Sequence, residues 1–241
     1  MIEVVELSKS YGDLTAVDRL SFRVEAGQVL GLVGPNGAGK TTTLRCMVGI
    51  IPPSEGAVRV AGHDVARNPV AAKRALAFMP DEPQLFDYLT VEEHLRFVAR
   101  LHQVERPAER IATLLDELEL AAKRAALPDE LSRGMKQKLV IACGLIHDPS
   151  ALIFDEPLGG LDPGSIRRMK ATILARAEAG AAVILSSHLL HLVEELCTRV
   201  LVIHRGRAVA FGALDEIRGQ RPELEGRGLE DVFLALTESG A

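Results

Sequence analysis

A glycine-rich segment near the N-terminus has the residue types and spacing of a phosphate-binding loop. Gly34-Pro35-Asn36-Gly37-Ala38-Gly39-Lys40-Thr41 matches the pattern G-x-x-x-x-G-K-[ST], and Thr42 follows it. Glycines let backbone N–H groups turn inward around an anion, and a helix N-terminus adds positive potential. Lys40 is expected to reach the β- and γ-phosphates of a nucleotide, and the Thr41 hydroxyl to ligate Mg²⁺. The segment therefore predicts a site for ATP and Mg²⁺.

Two further groups of polar residues follow apolar runs that are typical of buried strands. Asp155 and Glu156 come directly after Ala151–Phe154, and His188 follows Ala182–Leu185 after two serines. In open α/β sheets, ligands bind at the carboxyl ends of the strands. We expect Asp155 to hold Mg²⁺, Glu156 to orient or deprotonate the attacking water, and His188 to contact the γ-phosphate. Lys40, Glu156 and His188 are the candidate catalytic residues.

The elements that position these residues alternate between buried strands and helices. Val29–Val33 is a short apolar run, the phosphate loop follows it, and a helix is predicted over 40–48 with Gly49 at its end. A later helix is predicted over 166–179. This order predicts an α/β fold with a mainly parallel central sheet that is covered on both faces, as in phosphate-loop NTPases.

Two regions depart from that alternation. Apolar residues alternate with polar ones over 20–24 and 58–60, which predicts half-buried strands and a small antiparallel β subdomain. The middle of the chain is helical, and a capping box at Thr90 opens one of its helices. That helix is predicted to bury a single apolar face formed by Leu95, Val98 and Leu101.

Length and composition are those of a folded globular protein. The chain has 241 residues, 47% hydrophobic and 25% charged, with a net charge of −5, which argues against a nucleic-acid partner. We expect one domain over 1–241, in which 1–85 and 150–241 form the ATPase core with the β subdomain and 86–149 form a helical subdomain. No apolar run approaches the roughly 18–20 residues that span a bilayer. The cysteines are widely spaced and are expected to be small buried thiols: Cys46, Cys143 and Cys197.

These motifs together resemble the nucleotide-binding subunit of ATP-binding cassette (ABC) transporters, over nearly the whole chain. The most specific segment is Leu131-Ser132-Arg133-Gly134-Met135-Lys136-Gln137, which looks like the signature sequence of that family. In the family this sequence opens a helix that faces the γ-phosphate held by a second ATP-binding subunit. The resemblance therefore implies a homodimer or heterodimer, with Ser132, Arg133, Gly134 and Met135 acting in trans. A helix N-terminus is a suitable anion site in its own right.

Other positions carry over from the family one at a time. Tyr11 resembles the aromatic residue that stacks on adenine, although a tyrosine at a strand edge is the alternative. Asp162, after Gly160 and Leu161, resembles the loop that meets the partner subunit. The loop that normally offers a glutamine to Mg²⁺ and to the membrane subunit contains Asp81 and Gln84. We expect Asp81 to be the metal-side residue because it directly follows the strand end and Pro80, but both positions stay open.

The signature departs from the commonest form of the family, Ser-Gly-Gly-Gln, and Asp81 stands where glutamine is usual. The signature variant, together with the segment 228–234, resembles the branch that exports drugs, antibiotics and polysaccharides. The resemblance implies a cytoplasmic ATPase on the inner face of the membrane, coupled to a separate membrane-spanning subunit. Three rivals are a non-transport ABC-type ATPase, a nucleotide-gated binding module without turnover, and an unrelated phosphate-loop kinase.

Overall fold

A six-stranded sheet forms the centre of the structure, a computed structural model that describes residues 1–159, 161–220, 224 and 226–238. Its strands are β3 (Val29–Val33), β6 (Leu76–Met79), β7 (Ala151–Asp155), β8 (Ala182–Ser186), β9 (Arg199–His204) and β10 (Arg207–Gly212). The order is β10-β9-β3-β8-β7-β6. All neighbours are parallel except β10 and β9, which confirms the mainly parallel sheet.

A smaller sheet of four strands is wholly antiparallel, as expected. It consists of β1 (Ile2–Tyr11), β2 (Leu14–Val24), β4 (Glu55–Val60) and β5 (His63–Asp64), in the order β2-β1-β4-β5. The predicted alternation over 20–24 and 58–60 is confirmed, because the apolar side chains are buried and the arginines between them are exposed.

Helices cover the sheet and fill the connections between strands. They are α1 (Lys40–Met47), α2 (Pro69–Arg74), α3 (Val91–Leu101), α4 (Pro107–Glu117), α5 (Arg133–Leu145), α6 (Pro163–Glu178), α7 (Leu190–Leu196), α8 (Leu214–Gly219) and α9 (Leu229–Glu238). Short 3₁₀ turns lie at Ala121–Lys123 and Pro128–Glu130. Helix α6 begins three residues before its predicted start, because Asp162 caps it and Pro163 is favoured at the first helical position.

The helices between β6 and β7 share one hydrophobic core with the central sheet. Leu95 of α3, Leu114 of α4 and Leu139 of α5 belong to the same buried cluster as Met79 and Phe154 of the strands. This shared core fixes the signature helix against the strand ends. The boundaries of the helical subdomain at 86 and 149 stay a prediction.

Helix α3 corrects one prediction. Its capping box at Thr90 is present, and Leu95 is buried, but Leu101 is 68% exposed. At about 100° per residue, six residues place Leu101 about 240° around the helix from Leu95, far from the buried face. Val91, His94 and Ala99 complete that face instead.

Candidate active site

The phosphate loop joins β3 to α1, and its glycines are sterically required. Gly39, at the N-cap of α1, has φ of 103°, a conformation that side chains rarely adopt. A Cβ atom there would lie 2.4 Å from the carbonyl oxygen of Ala16, and one on Gly34 would lie 2.4 Å from that of Ile203. The backbone therefore packs closely on its outer side and leaves its inner side for a ligand.

Lys40 points into the loop that precedes it. Its Nζ donates hydrogen bonds to the carbonyl oxygens of Gly34 at 2.6 Å and Pro35 at 3.2 Å. Burial lowers the pKa of Lys40, and the nearby negative charges of Glu156 and Asp155 oppose that shift. The ammonium group thus lies where the loop, the acidic strand ends and a polyphosphate would meet.

The candidate metal ligands line one cavity. Thr41, Asp81, Gln84 and Asp155 all contribute to a cleft of 880 Å³ between the sheet edge and the helices. Asp155 is only 7% exposed, and burial, together with the negative charges of Glu156 and Asp81, raises the pKa of its carboxyl. A buried carboxylate beside other acids, with a hydroxyl nearby, is a donor set that suits a hard divalent cation. The residues present therefore fit Mg²⁺.

Glu156 and His188 meet at the ends of two adjacent strands. The Nδ1 atom of His188 lies 2.8 Å from Glu156 Oε2, and the His188 backbone N–H donates to the same oxygen at 3.3 Å. The hydroxyl of Ser187 also donates to it at 3.3 Å. Glu156 adopts a left-handed conformation with φ of 50°, which turns its side chain away from that of Asp155. One carboxylate oxygen is held, and we find no hydrogen bond to the other among the described residues.

The signature segment starts α5 as predicted. Ser132 is the N-cap residue, and its hydroxyl accepts a hydrogen bond from the Met135 backbone N–H at 3.3 Å. Gly134 lies against the side chain of Leu161, because an added Cβ would be 3.3 Å from Leu161 Cδ2. Arg133 lies 3.8 Å from the Asp81 carboxylate, and both side chains are exposed. The signature segment therefore contacts the loop that contains Leu161 and the loop that contains Asp81, both in the same chain.

Asp162 and Tyr11 have simple local roles in the single chain. The carboxylate of Asp162 caps α6 by accepting from the backbone N–H and hydroxyl of Ser165, at 3.0 and 2.6 Å, and these bonds lower its pKa. Gly160 lies outside the described residues.

Tyr11 ends β1, is 49% exposed, and has the Lys9 ammonium 5.1 Å from its ring centroid. It does not line the cleft that contains Thr41 and Asp155.

Three side chains that the sequence analysis gave no role support the site. Ser187 holds Glu156, and its position directly before His188 was the available signal. Gln137, within the signature segment, donates from Nε2 to the Pro80 carbonyl at 3.4 Å. His94 has Nδ1 2.8 Å from the Thr90 carbonyl, and its Nε2 accepts from the Phe86 backbone N–H at 2.9 Å. His94 thus fixes the loop after Pro80 to α3, which no spacing in the sequence indicates.

Comparisons with known proteins agree with this geometry. A family model described as "ABC transporter" matches residues 17–159, more than half of the chain. The chain belongs to the ABC transporter family. The ABC-type transporter ATP-binding protein EcsA of Bacillus subtilis is 32% identical over 243 residues, which cover 100% of this chain and 98% of that protein.

Other relatives of this ABC protein are named as ATP-binding proteins of a multidrug transporter and of an export system. The probable multidrug ABC transporter ATP-binding protein YbhF of Escherichia coli is 35% identical over 240 residues, 98% of this chain but only 41% of YbhF. The Nod factor export ATP-binding protein I of Paraburkholderia xenovorans is 39% identical over 214 residues, 88% of this chain and 70% of that protein. A solved structure of an ATP binding subunit of an ABC transporter superposes with a TM-score of 0.94 at 35% identity, covering 98% of this chain and 99% of that one.

These findings confirm the family and the fold that the sequence predicted. They also confirm the prediction of an ATP-binding subunit. The catalytic, metal and signature roles of single residues stay predictions. Among the described residues, no helix is both long and apolar enough to cross a bilayer.

Proposed function

We propose that this protein hydrolyses ATP, with Mg²⁺ as cofactor, at an interface between two ATP-binding subunits, and so drives export through a separate membrane-spanning subunit. It would act on the inner face of the cell membrane. One observation carries the proposal: the phosphate loop, the buried Asp155 and the Glu156–His188 pair converge on one edge of a parallel sheet. The name of the Nod factor export relative supports export as the direction of transport.

The phosphate loop would hold the polyphosphate of ATP. Backbone N–H groups between Gly39 and Thr42 offer donors, and α1 offers its N-terminal end. Lys40 would move its Nζ from loop carbonyls to phosphate oxygens. Thr41 and Asp155, with Asp81, would hold Mg²⁺, which neutralises phosphate charge when it is bound. Burial raises the pKa of Asp155, and a cation bound beside it would favour its ionised carboxylate.

Glu156 and His188 would act on the water and the γ-phosphate. The Glu156 oxygen that accepts no bond from the described residues is the one able to orient a water, while His188 fixes the other oxygen. A positioned base contributes about 10²–10⁴ in rate. With Nδ1 donating to the Glu156 carboxylate, the exposed Nε2 of His188 would donate to a phosphate oxygen in the form of the ring that carries both protons.

A second subunit would complete the site. Ser132, Arg133, Gly134 and Met135 start α5 at an exposed helix N-terminus, which suits a γ-phosphate held by the opposing chain. Asp162 lies in the loop that would meet the partner subunit, and Tyr11 is exposed enough to stack on adenine. The partner is a second copy of this chain or a related ATP-binding subunit.

The membrane subunit would bind an exposed apolar surface beside the loop after Pro80. This surface consists of Phe86, Tyr88, Phe97 and Leu101, of which Tyr88 is 92% exposed. Phe86 packs edge-on against Phe97 with ring centroids 5.4 Å apart, so loop and helix α3 present one surface. Exposed aromatic side chains of this kind are typical of interfaces between proteins.

Substitutions at two leucines of similar exposure test the proposed docking surface. Leu101 is 68% exposed on the proposed surface, and Leu14 is 67% exposed on β2 of the antiparallel sheet. Tagged protein purified from native membranes should lose its membrane partner when Leu101→Asp is introduced and keep it with Leu14→Asp. Equal recovery of the partner with both variants would refute the docking surface. Phosphate release by each isolated variant reports separately on the ATPase.

A further inference from the structure

A cationic face lies beside the proposed docking surface, on a chain that is acidic overall. The net charge is −5 with 33 acidic residues among 241, yet residues 26–54 and 65–80 contain neither Asp nor Glu. Arg45, Arg67, Lys73 and Arg74 come from these two stretches, and all four are exposed. No salt bridge joins any of them to an acid within the described part of the chain.

The fold brings the two stretches together. Arg67 and Arg74 line one open concave surface with Val70 between them. The side chain of Lys73 approaches Gly49, because a Cβ on that glycine would lie 3.8 Å from Lys73 Cε. Asp64 is the acid nearest to Arg67 in sequence, and its Oδ1 accepts hydrogen bonds from the backbone N–H groups of Ala66 and Arg67, at 2.9 Å each.

The cationic face borders the cleft that opens onto the docking surface. Arg45 and Ile50 line the same 880 Å³ cleft as Phe86 and His102, and the positive charge of Arg74 acts on His102. Two exposed apolar side chains, Ile50 at 58% and Val70 at 67%, lie among the cations. A subunit docked through Phe86 and Leu101 would therefore turn this basic and apolar surface toward the bilayer that holds its partner.

We propose that Arg45, Arg67, Lys73 and Arg74 bind the phosphate groups of anionic phospholipids, so that the subunit contacts the membrane surface directly as well as through its partner. The orientation rests on the proposed function, whereas the lipid affinity belongs to this chain alone. Each basic side chain near an anionic bilayer contributes roughly fivefold to binding. Three of them therefore contribute about 100-fold, and salt weakens the attraction because it screens exposed charges.

Vesicle co-sedimentation of the full chain tests the proposal. The vesicles are equimolar phosphatidylglycerol and phosphatidylcholine, with pure phosphatidylcholine for comparison, at low and at high salt. One variant carries Arg67→Glu, Lys73→Glu and Arg74→Glu. A control of identical net charge carries Arg19→Glu, Arg167→Glu and Arg227→Glu, three exposed arginines from other parts of the fold. A milder variant carries glutamine at positions 67, 73 and 74, in case charge reversal prevents folding.

We expect wild type and control to bind the anionic vesicles alike. The glutamine variant at 67, 73 and 74 should bind about 100-fold more weakly, and the glutamate variant, which adds repulsion to the lost attraction, more weakly still. Undiminished binding of the variants at 67, 73 and 74 would overturn the proposal. Equal losses in the control would also overturn it, because they would mean that net charge alone decides binding. Wild-type binding to pure phosphatidylcholine equal to that on anionic vesicles would also overturn it. Phosphate release by the same preparations separates this outcome from a failure of the ATPase assignment.

Discussion

Asp155 is a buried carboxylate among other acids, and its position is unfavourable for stability. Burial, with Glu156 and Asp81 nearby, raises its pKa, so the folded state binds a proton more readily than the unfolded state. Its contribution to stability is therefore present at low pH and is lost as pH rises through the folded pKa. This loss of stability at neutral pH is consistent with a role for Asp155 in binding a cation.

Asp155→Asn should raise the free energy of unfolding at pH 7.5 without nucleotide and should weaken Mg²⁺-dependent turnover by about 10- to 100-fold or more. The isosteric amide removes a charge that burial disfavours, and it removes a ligand oxygen charge that Mg²⁺ needs. Thermal unfolding and phosphate release measure the two effects. A variant that gains no stability over wild type at pH 7.5, or whose gain does not shrink toward pH 4, would contradict the electrostatic account.

Asp81 and Gln84 line the same cleft, but only Asp81 influences the pKa of Asp155. We therefore expect Asp81→Asn to raise the Mg²⁺ concentration needed for half-maximal ATP hydrolysis by about 10-fold, and Gln84→Ala to leave it unchanged. A magnesium titration of phosphate release compares the two. The reverse pattern would assign the metal-side role to Gln84.

Much of this site follows from the sequence, because each candidate catalytic residue comes within two residues of the end of a buried apolar strand or within a motif of fixed spacing. Gly34 to Thr42, Asp155, Glu156 and His188 were placed in this way. The hydrogen bond between Glu156 and His188 was not predicted, since it depends on a left-handed backbone at Glu156 and on two strands 31 residues apart becoming neighbours. The role of His94 was missed because a lone histidine on an apolar face gives no signal.

At the scale of elements, the C-terminal ends of α3 and α5 meet through two stacked histidines. The rings of His102 and His147 lie 3.7 Å apart between centroids, and His147 has Nε2 3.3 Å from the Leu76 carbonyl of β6. Burial, and then the neighbouring His102, lowers the pKa of His147 to about 4. The folded state therefore needs the neutral imidazole, and stability is lost as pH falls from about 6.5 toward 4.

His147→Gln should flatten this pH dependence. Between pH 6.5 and 5, wild type should lose about 1 kcal/mol more than the variant, after allowance for partial solvent exposure. Urea unfolding at the two pH values measures the difference. His191→Gln, at an exposed histidine on α7, is the control and should behave as wild type. Parallel curves for wild type and His147→Gln would mean that the stacked pair does not titrate as described.

The elements themselves were predictable where a hydrophobic period was long. Strands β3, β7 and β8 of the central sheet and the half-buried strand over 20–24 were predicted correctly, because their apolar patterns differ clearly. Strands β9 and β10 were not predicted. The exposure of Leu101 was not predicted, because three apolar residues at helical spacing do not reveal which of them is buried in the fold. The short strand β5 (His63–Asp64) carries no pattern of its own and depends on pairing with β4.

At the scale of the whole molecule, the proposed function requires the signature to meet the phosphate loop of another subunit. We expect Glu156→Gln to elute as a dimer with Mg-ATP, because ATP stays trapped between the two chains. Adding Gly134→Asp should restore the monomer, since a carboxylate at the start of α5 repels the γ-phosphate. Gly219→Asp is the matched control, at a helical glycine with open space around it. A dimer that survives Gly134→Asp would contradict the composite site.

The central claim is that Glu156 activates the water that attacks ATP bound by this chain. The most direct measurement is the steady-state rate of phosphate release from Mg-ATP by wild type and by Glu156→Gln, with nucleotide binding recorded in both. We predict that the variant binds ATP as wild type does and releases phosphate about 10²–10⁴ times more slowly. Wild-type turnover in the Glu156→Gln protein would contradict the account.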